Sequence, residues 1–345
     1  MPGLRPRRVV DRLGIRLAHL DRLALAEDNN FVVTQANEAF KTIHSRGPSP
    51  ASIVVRDGFI ARPKRIYVAG EDETTTRPKP PIANLIRSQG LALRLELALI
   101  FLAQCNPHPG RKAIPLPVSA ASQDDDEALG LINLFATGTR HRDGSNYRRP
   151  RPAMRARQVE NALDILAAPT LQLVRLASGA GRSRYDSMSL NRETGVPSAN
   201  DVARYSIPAQ RSNVSIPVEF FTRGWIQVMT DSEIWNWLVW RHRARTVAPP
   251  QTSGAGLRLD ARDRLRWYDL TRDAWDTHQV LGSVGLLMAN PGGATSTATQ
   301  RGQRLRREPH EFELHDGELS KDAYHAMRSA ISALRDDLIE RDVRM

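Results

Sequence analysis

The stretch LTRDAWDTHQVLGSVGLL, residues 270–287, decides how the second half of the chain is expected to fold. The Thr271 hydroxyl is placed to cap the first turn of a helix. Leu281 supplies an inward apolar side chain, and Gly285 supplies the stop, because glycine readily adopts the left-handed conformation that ends many helices. The leucines that follow are apolar enough to enter a strand. The stretch therefore predicts a capped helix followed at once by a strand.

The sequence on both sides extends this pattern into a larger module. Thr230 and Glu233 have the spacing of a capping box and open one helix, and residues 260–267 predict another. Residues 310–314 are predicted to form a return strand after a long, polar and basic loop, 289–309. Three helices followed by a hairpin resemble a winged-helix unit, in which the third helix enters the major groove and the hairpin lies along phosphate.

The same order of elements is expected earlier in the chain, where two strands flank a Gly-rich basic tip at residues 178–184. The predicted helices cover residues 82–105, 124–135 and 153–167, and the strands cover 170–177 and 185–190. We therefore predict an α+β fold built from two winged-helix units with an irregular N-terminal arm. The expected divisions are an arm and linker in 1–80, a first unit in 81–196, a linker in 197–213, a second unit in 214–318 and a C-terminal helix in 319–345.

This tandem layout resembles the iteron-binding plasmid replication initiators. The resemblance rests on the helix-to-strand pattern of residues 270–287, so it names an architecture. It implies sequence-specific or semi-specific binding of double-stranded DNA, in plasmid replication initiation or transcription regulation. The alternative is a structural or interaction protein whose winged-helix units pair with other chains.

The charge of the chain favours a polyanionic partner. Its 49 Lys and Arg exceed its 38 Asp and Glu, which gives a net charge of +11. Most of these cations are arginines, which also accumulate in GC-rich genomes, so their clustering is more informative than their number. Seven arginines lie in the eighteen residues 140–157, opposed only by Asp143. Guanidinium groups bind phosphate through paired hydrogen bonds, although an exposed loop of biased composition is the plain alternative.

The candidate DNA-binding residues follow from these two units. In the first unit they are Arg148, Arg149, Arg151, Arg155, Arg157, Gln158, Arg182 and Arg184. In the second unit they are Arg272, Thr277 and Gln279, whose side chains are of types that read base edges. Asp273 and Asp276 would repel phosphate, so we expect the second unit to bind DNA more weakly or to pair with protein. Formation of a homodimer is left open.

No motif of the sequence indicates catalysis, a cofactor or a metal site. Cys105 is the single cysteine, which excludes an internal disulfide and a cysteine-only zinc site. No phosphate-binding loop is present, and His310 and His315 are one residue too far apart for a zinc-protease motif. The longest apolar run, 95–105, contains Glu96 and is too short to span a bilayer. We expect a cytoplasmic, non-enzymatic protein with no cofactor and no membrane partner.

Overall fold

The chain folds into helices and short antiparallel sheets, as the α+β expectation requires. The computed structural model describes residues 6–24, 32–63, 78–87, 90–106, 116–119, 129–136, 152–179, 181, 183–195, 203–208, 213–247, 256–290 and 311–344. Within these ranges, no helix combines the length and the apolar character needed to cross a membrane.

The described elements are helices of 4 to 22 residues and strands of two to five residues. The helices are α1 (Pro6–Ala24), α2 (Val32–Arg46), α3 (Asp57–Ile60), α4 (Pro81–Arg87), α5 (Ala92–Cys105), α6 (Pro152–Ala167), α7 (Ser183–Asp186), α8 (Glu219–Thr222), α9 (Trp225–Val228), α10 (Asp231–Val247), α11 (Ala261–Tyr268), α12 (Arg272–Asp276), α13 (His278–Ser283) and α14 (Ala323–Arg344). The strands are β1 (Ser52–Arg56), β2 (Val174–Arg175), β3 (Ser189–Leu190), β4 (Asn213–Pro217), β5 (Leu287–Asn290) and β6 (Glu311–Leu314). Short 3-10 helices cover Leu131–Leu134 and Asp316–Ser320.

The N-terminal segment is helical and packed, so the expectation of an irregular arm is wrong for its described residues. α1 packs along α14, and α2 packs against α5 and α8. Phe40 of α2 is fully buried, with its ring centroid 5.0 Å from that of Phe101 and 5.6 Å from that of Phe221. The helical spacing of leucines in α1 is weak in isolation, and α14, which covers it, lies more than 300 residues away in the sequence.

One pair of strands joins segments that the sequence analysis assigns to different units. β1 pairs antiparallel with β4, from Ser52 opposite Pro217 to Arg56 opposite Asn213. Ile53 and Val55 bury their side chains on one side of this pair. The arm is therefore joined to the beginning of the second unit, and the buried side chains from α1 to α14 form one continuous core.

The first unit agrees with its predicted elements only in part. α6 confirms the helix expected over 153–167. The helix expected over 82–105 is instead two helices, α4 and α5, with Gly90 between them. Of the helix expected over 124–135, residues 124–128 lie outside the described residues, and the described remainder forms only a 3-10 turn over Leu131–Leu134. β2 and β3 pair antiparallel, with Val174 opposite Leu190 and Arg175 opposite Ser189, but each strand has only two residues. The helix α7 occupies Ser183–Asp186, where the end of the basic tip and the start of the second strand were expected.

Candidate functional site

The described part of residues 231–314 contains four helices, α10 to α13, and the two-stranded sheet of β5 and β6. β5 pairs antiparallel with β6, from Leu287 opposite Leu314 to Asn290 opposite Glu311. Leu257, between α10 and α11, adds a third extended position, because it exchanges backbone hydrogen bonds of 2.7 and 3.0 Å with Phe312. β6 therefore lies between Leu257 and β5.

The capping box that opens this region is confirmed. The Thr230 amide donates to Glu233 Oε2 at 2.7 Å, and the Glu233 amide donates to Thr230 Oγ1 at 3.2 Å. These reciprocal bonds satisfy amides that the first turn of α10 leaves without a helical partner. They fix the start of the helix against which the rest of the module packs.

A tight turn joins α11 to α12. Asp269 adopts a left-handed conformation with φ of 55°, and its amide donates to the carbonyls of Arg264 and Leu265. Leu270 is buried in the turn. The Thr271 hydroxyl then accepts from the Ala274 amide at 3.4 Å, as predicted. The turn therefore places α12 directly after α11.

The helix predicted to run from Thr271 to about Val284 is divided at Thr277 into α12 and α13. The Asn236 side-chain amide, from α10, donates to the Ala274 carbonyl at 3.1 Å, the Trp275 carbonyl at 3.0 Å and Thr277 Oγ1 at 3.1 Å. The Thr277 hydroxyl donates to the Ala274 carbonyl at 2.6 Å. These bonds engage the hydroxyl of Thr277, a predicted base-reading residue, in holding the junction of the two helices.

The end of α13 follows the prediction from Gly285. This residue has φ of +79°, and its amide donates to the Gly282 carbonyl at 3.0 Å. The Leu286 amide donates to the Leu281 carbonyl at 3.0 Å. The two bonds make a Schellman motif, which turns the chain directly into β5.

Aromatic side chains connect α10 to the helices and strands that follow. The Trp240 ring centroid lies 5.5 Å from that of Trp275 and 4.9 Å from that of Phe312. Trp225 and Trp237 are also buried. The tryptophans of this region therefore pack in the core, and those that are buried are unavailable for stacking on bases.

The outward face of α12 and α13 carries polar and charged side chains. Arg272, Asp273 and Gln279 are exposed, while Ala274 and Leu281 are buried against the module. The Arg272 guanidinium Nε lies 3.9 Å from Asp276 Oδ2, one helical turn away. Asp276 also faces Arg264, whose pKa is lowered because its guanidinium is partly desolvated. The face thus offers both hydrogen-bond donors and acceptors to a ligand.

An ionic cluster at Asp269 attaches this turn to the segment before α5. The Asp269 carboxylate lies 3.2 Å from the Arg62 guanidinium, 3.0 Å from Lys79 Nζ and 3.6 Å from the Arg87 guanidinium. Arg62 also donates to the carbonyls of Leu265 at 2.8 Å and Arg266 at 2.7 Å, at the C-terminal end of α11. A cation at this end of a helix is favoured by the helix dipole. The sequence did not predict the ion pairs of Asp269 or the hydrogen bonds of Arg62, because both join residues about 200 positions apart.

The candidate DNA-binding residues of the first unit lie in different environments. Arg155 is 6% exposed, and its guanidinium donates to the carbonyls of Ile132 and Phe135, so it supports the core and is not offered to a ligand. Arg157 is exposed and Gln158 is partly exposed on the outer side of α6. Arg184 pairs with Asp164 and lies over the Tyr185 ring, its Cζ 4.7 Å from the centroid. The remaining first-unit candidates, Arg148, Arg149, Arg151 and Arg182, lie outside the described residues.

The described residues contain no cluster of three or more His, Cys, Asp or Glu side chains arranged to hold a metal ion. Comparison with protein-family models, with curated proteins and with solved structures gives no match for this chain.

Proposed function

We propose that the chain binds double-stranded DNA, with α12 and α13 as the reading helix of a winged-helix unit. The observation that carries the proposal is the strand order around β6. Leu257, which lies between α10 and α11, pairs with β6, the second strand of the hairpin. The reading helix leads directly into β5, the first strand, which pairs with β6. Winged-helix proteins use this order to place the third helix in the major groove and the hairpin beside the backbone.

The surface chemistry of the same helices supports the proposal. Arg272 donates in the geometry that guanine accepts, and the Gln279 amide matches the edge of adenine. Both side chains are exposed, on helices whose opposite side is buried. The hairpin connection, residues 291–310, contains four arginines between 301 and 307. Their charge suits contacts with phosphate.

We assign the first unit an electrostatic role in the same complex. Its arginine run precedes α6, and Arg157 is exposed on that helix. Arg148, Arg149 and Arg151 would supply phosphate contacts that fix the register of the protein without reading sequence. The resemblance to iteron-binding initiators makes repeated sites of a plasmid origin the first specific DNA to test, and a single regulated promoter the second.

Replacement of Arg272 by Ala tests the reading helix. We expect it to weaken binding to a selected duplex roughly 5- to 150-fold if the guanidinium contacts a base, with a much smaller loss on unrelated DNA. Fluorescence anisotropy of a labelled duplex, at fixed and then increasing salt, measures both effects.

Arg341→Ala provides a matched control. Arg341 and Arg272 are similarly exposed, with side-chain values of 71% and 64%, and each lies one helical turn from an aspartate partner. Arg341 lies near the end of α14, outside residues 231–314. Equal losses in the two variants, or no binding of DNA by the wild-type chain, would contradict the proposal. A chain that self-associates and ignores DNA would favour the structural alternative.

A further inference from the structure

Asp273 is the acidic residue on the reading face whose charge is least compensated. It lies in the first turn of α12 and is exposed. No described residue forms an ion pair with it, whereas Asp276 on the same helix faces both Arg272 and Arg264. The two aspartates that the sequence presents alike are therefore in different electrostatic environments.

An uncompensated carboxylate at this position has a cost on any DNA. The N-terminal residues of a reading helix approach base edges most closely, and the phosphates on both sides of the groove repel a negative charge. The repulsion is offset only where a base donates hydrogen bonds to the carboxylate. Cytosine offers its N4 amino group in the major groove, whereas guanine and thymine present acceptors there. Adenine offers N6 but places the N7 acceptor beside it.

We infer that Asp273 is a specificity residue that selects cytosine at one position of the bound DNA. The inference rests on the proposed function, because it requires α12 to lie in the major groove. Arg272 and Asp273 are adjacent in the helix and so point in directions about 100° apart. They therefore contact different base positions, and we expect a binding site in which a cytosine chosen by Asp273 lies near a guanine chosen by Arg272.

The test compares base preferences, since total affinity alone would not separate reading from repulsion. The full chain and its Asp273→Asn variant select binding sites from a pool of random duplexes, and the recovered DNA is sequenced. Asparagine pairs with the N6 and N7 of adenine. We expect the variant to change one position from cytosine to adenine, with a preference of roughly 5- to 150-fold, and to leave the other positions as they were. It also loses a repulsive charge, so its affinity for unrelated DNA rises.

Two further variants complete the experiment. Asp273→Ala should lose the preference at that one position without gaining another. Asp336→Asn removes an exposed carboxylate from α14 and should leave the selected sequences unchanged. Uniformly tighter binding by Asp273→Asn with the same base preferences would overturn the inference and leave the proposed function intact. Failure of the wild-type chain to retain any duplex would instead overturn the proposed function, and this inference with it.

Discussion

Replacing Glu96 by Gln should make the protein more stable, and increasingly so as the pH rises. Glu96 lies on α5 with its side chain fully buried. Neither of its carboxylate oxygens has a hydrogen-bond partner among the described residues. Burial raises the pKa of the Glu96 carboxyl well above its ordinary value, and the nearby Glu193 carboxylate raises it further. Glu193 is better compensated, because the Arg56 amide and guanidinium donate to it at 2.9 and 2.5 Å.

The size of the effect follows from one proton. The unfolded chain releases the Glu96 proton near the ordinary pKa of 4.5, while the folded chain retains it to a higher pH. Over that interval the folded state binds one more proton than the unfolded state. Its free energy of unfolding therefore falls with rising pH, by about 1.4 kcal/mol per pH unit, until the folded pKa is passed. Glutamine has the size of the protonated acid and does not titrate, so the variant lacks this decline.

Urea denaturation followed by tryptophan fluorescence, repeated across this pH range, measures the difference. Near the ordinary pKa of 4.5, the free energies of unfolding of wild type and Glu96→Gln should agree to within about 1 kcal/mol. At higher pH they should diverge by about 1.4 kcal/mol per pH unit until the folded pKa is passed. Glu38→Gln is the control, because the Glu38 side chain is 59% exposed and pairs with Lys41 on the surface. Stability curves for Glu96→Gln and wild type that stay parallel would refute the reasoning, since they would show that Glu96 is ionised in the folded protein.

Three other variants are expected to have measurable effects. Replacing Arg148, Arg149 and Arg151 together by Ala should reduce the slope of log affinity against log salt by about 2 to 3. A salt titration with duplex DNA measures this slope. An unchanged slope would exclude these arginines from phosphate contact. Asp269→Asn keeps the left-handed turn but loses its charge, so stability should fall by about 1 kcal/mol at low salt and less at 1 M salt. Gly285→Ala forces a side chain onto φ of +79° with its Cβ 3.1 Å from Glu318, and should cost about 1 to 2 kcal/mol in urea denaturation.

Local hydrogen bonding is the part of the fold that the sequence predicted well. The capping box of Thr230 and Glu233, the cap at Thr271 and the helix stop at Gly285 all form as expected. Each depends on residues fewer than six positions apart, so residue type and spacing almost determine the geometry. The return strand expected over 310–314 also forms, because it completes a hairpin.

The packing between segments distant in the sequence could not be predicted in the same way. The pairing of β1 with β4 and the packing of α1 on α14 join segments that a reading along the chain assigns to different units. An apolar stripe shows that a helix has a buried side but does not identify its partner. The N-terminal segment was therefore predicted as an arm, although it contributes to the main core.

The candidate site shows the same limit at the level of single residues. Arg155 belongs to an arginine run that favours phosphate binding, yet it is buried and donates to backbone carbonyls. Thr277 has the side chain of a base reader, yet its hydroxyl holds the junction of α12 and α13. Residue type gives the chemistry that a side chain can perform, and burial decides whether a ligand can reach it. Arg272 and Gln279 remain candidates because they are exposed on the outward face of α12 and α13.

The contacts between the expected units also determine how DNA binding must be measured. Cutting the chain within residues 197–213 would separate β1 from β4 and α1 from α14. It would also separate Asp269 from Arg62, Lys79 and Arg87. Each half would then expose apolar surface that the intact chain buries, and loss of binding by a half could report misfolding alone. Substitutions of exposed side chains in the full chain avoid this ambiguity, because they change the charge facing the ligand while the common core stays intact.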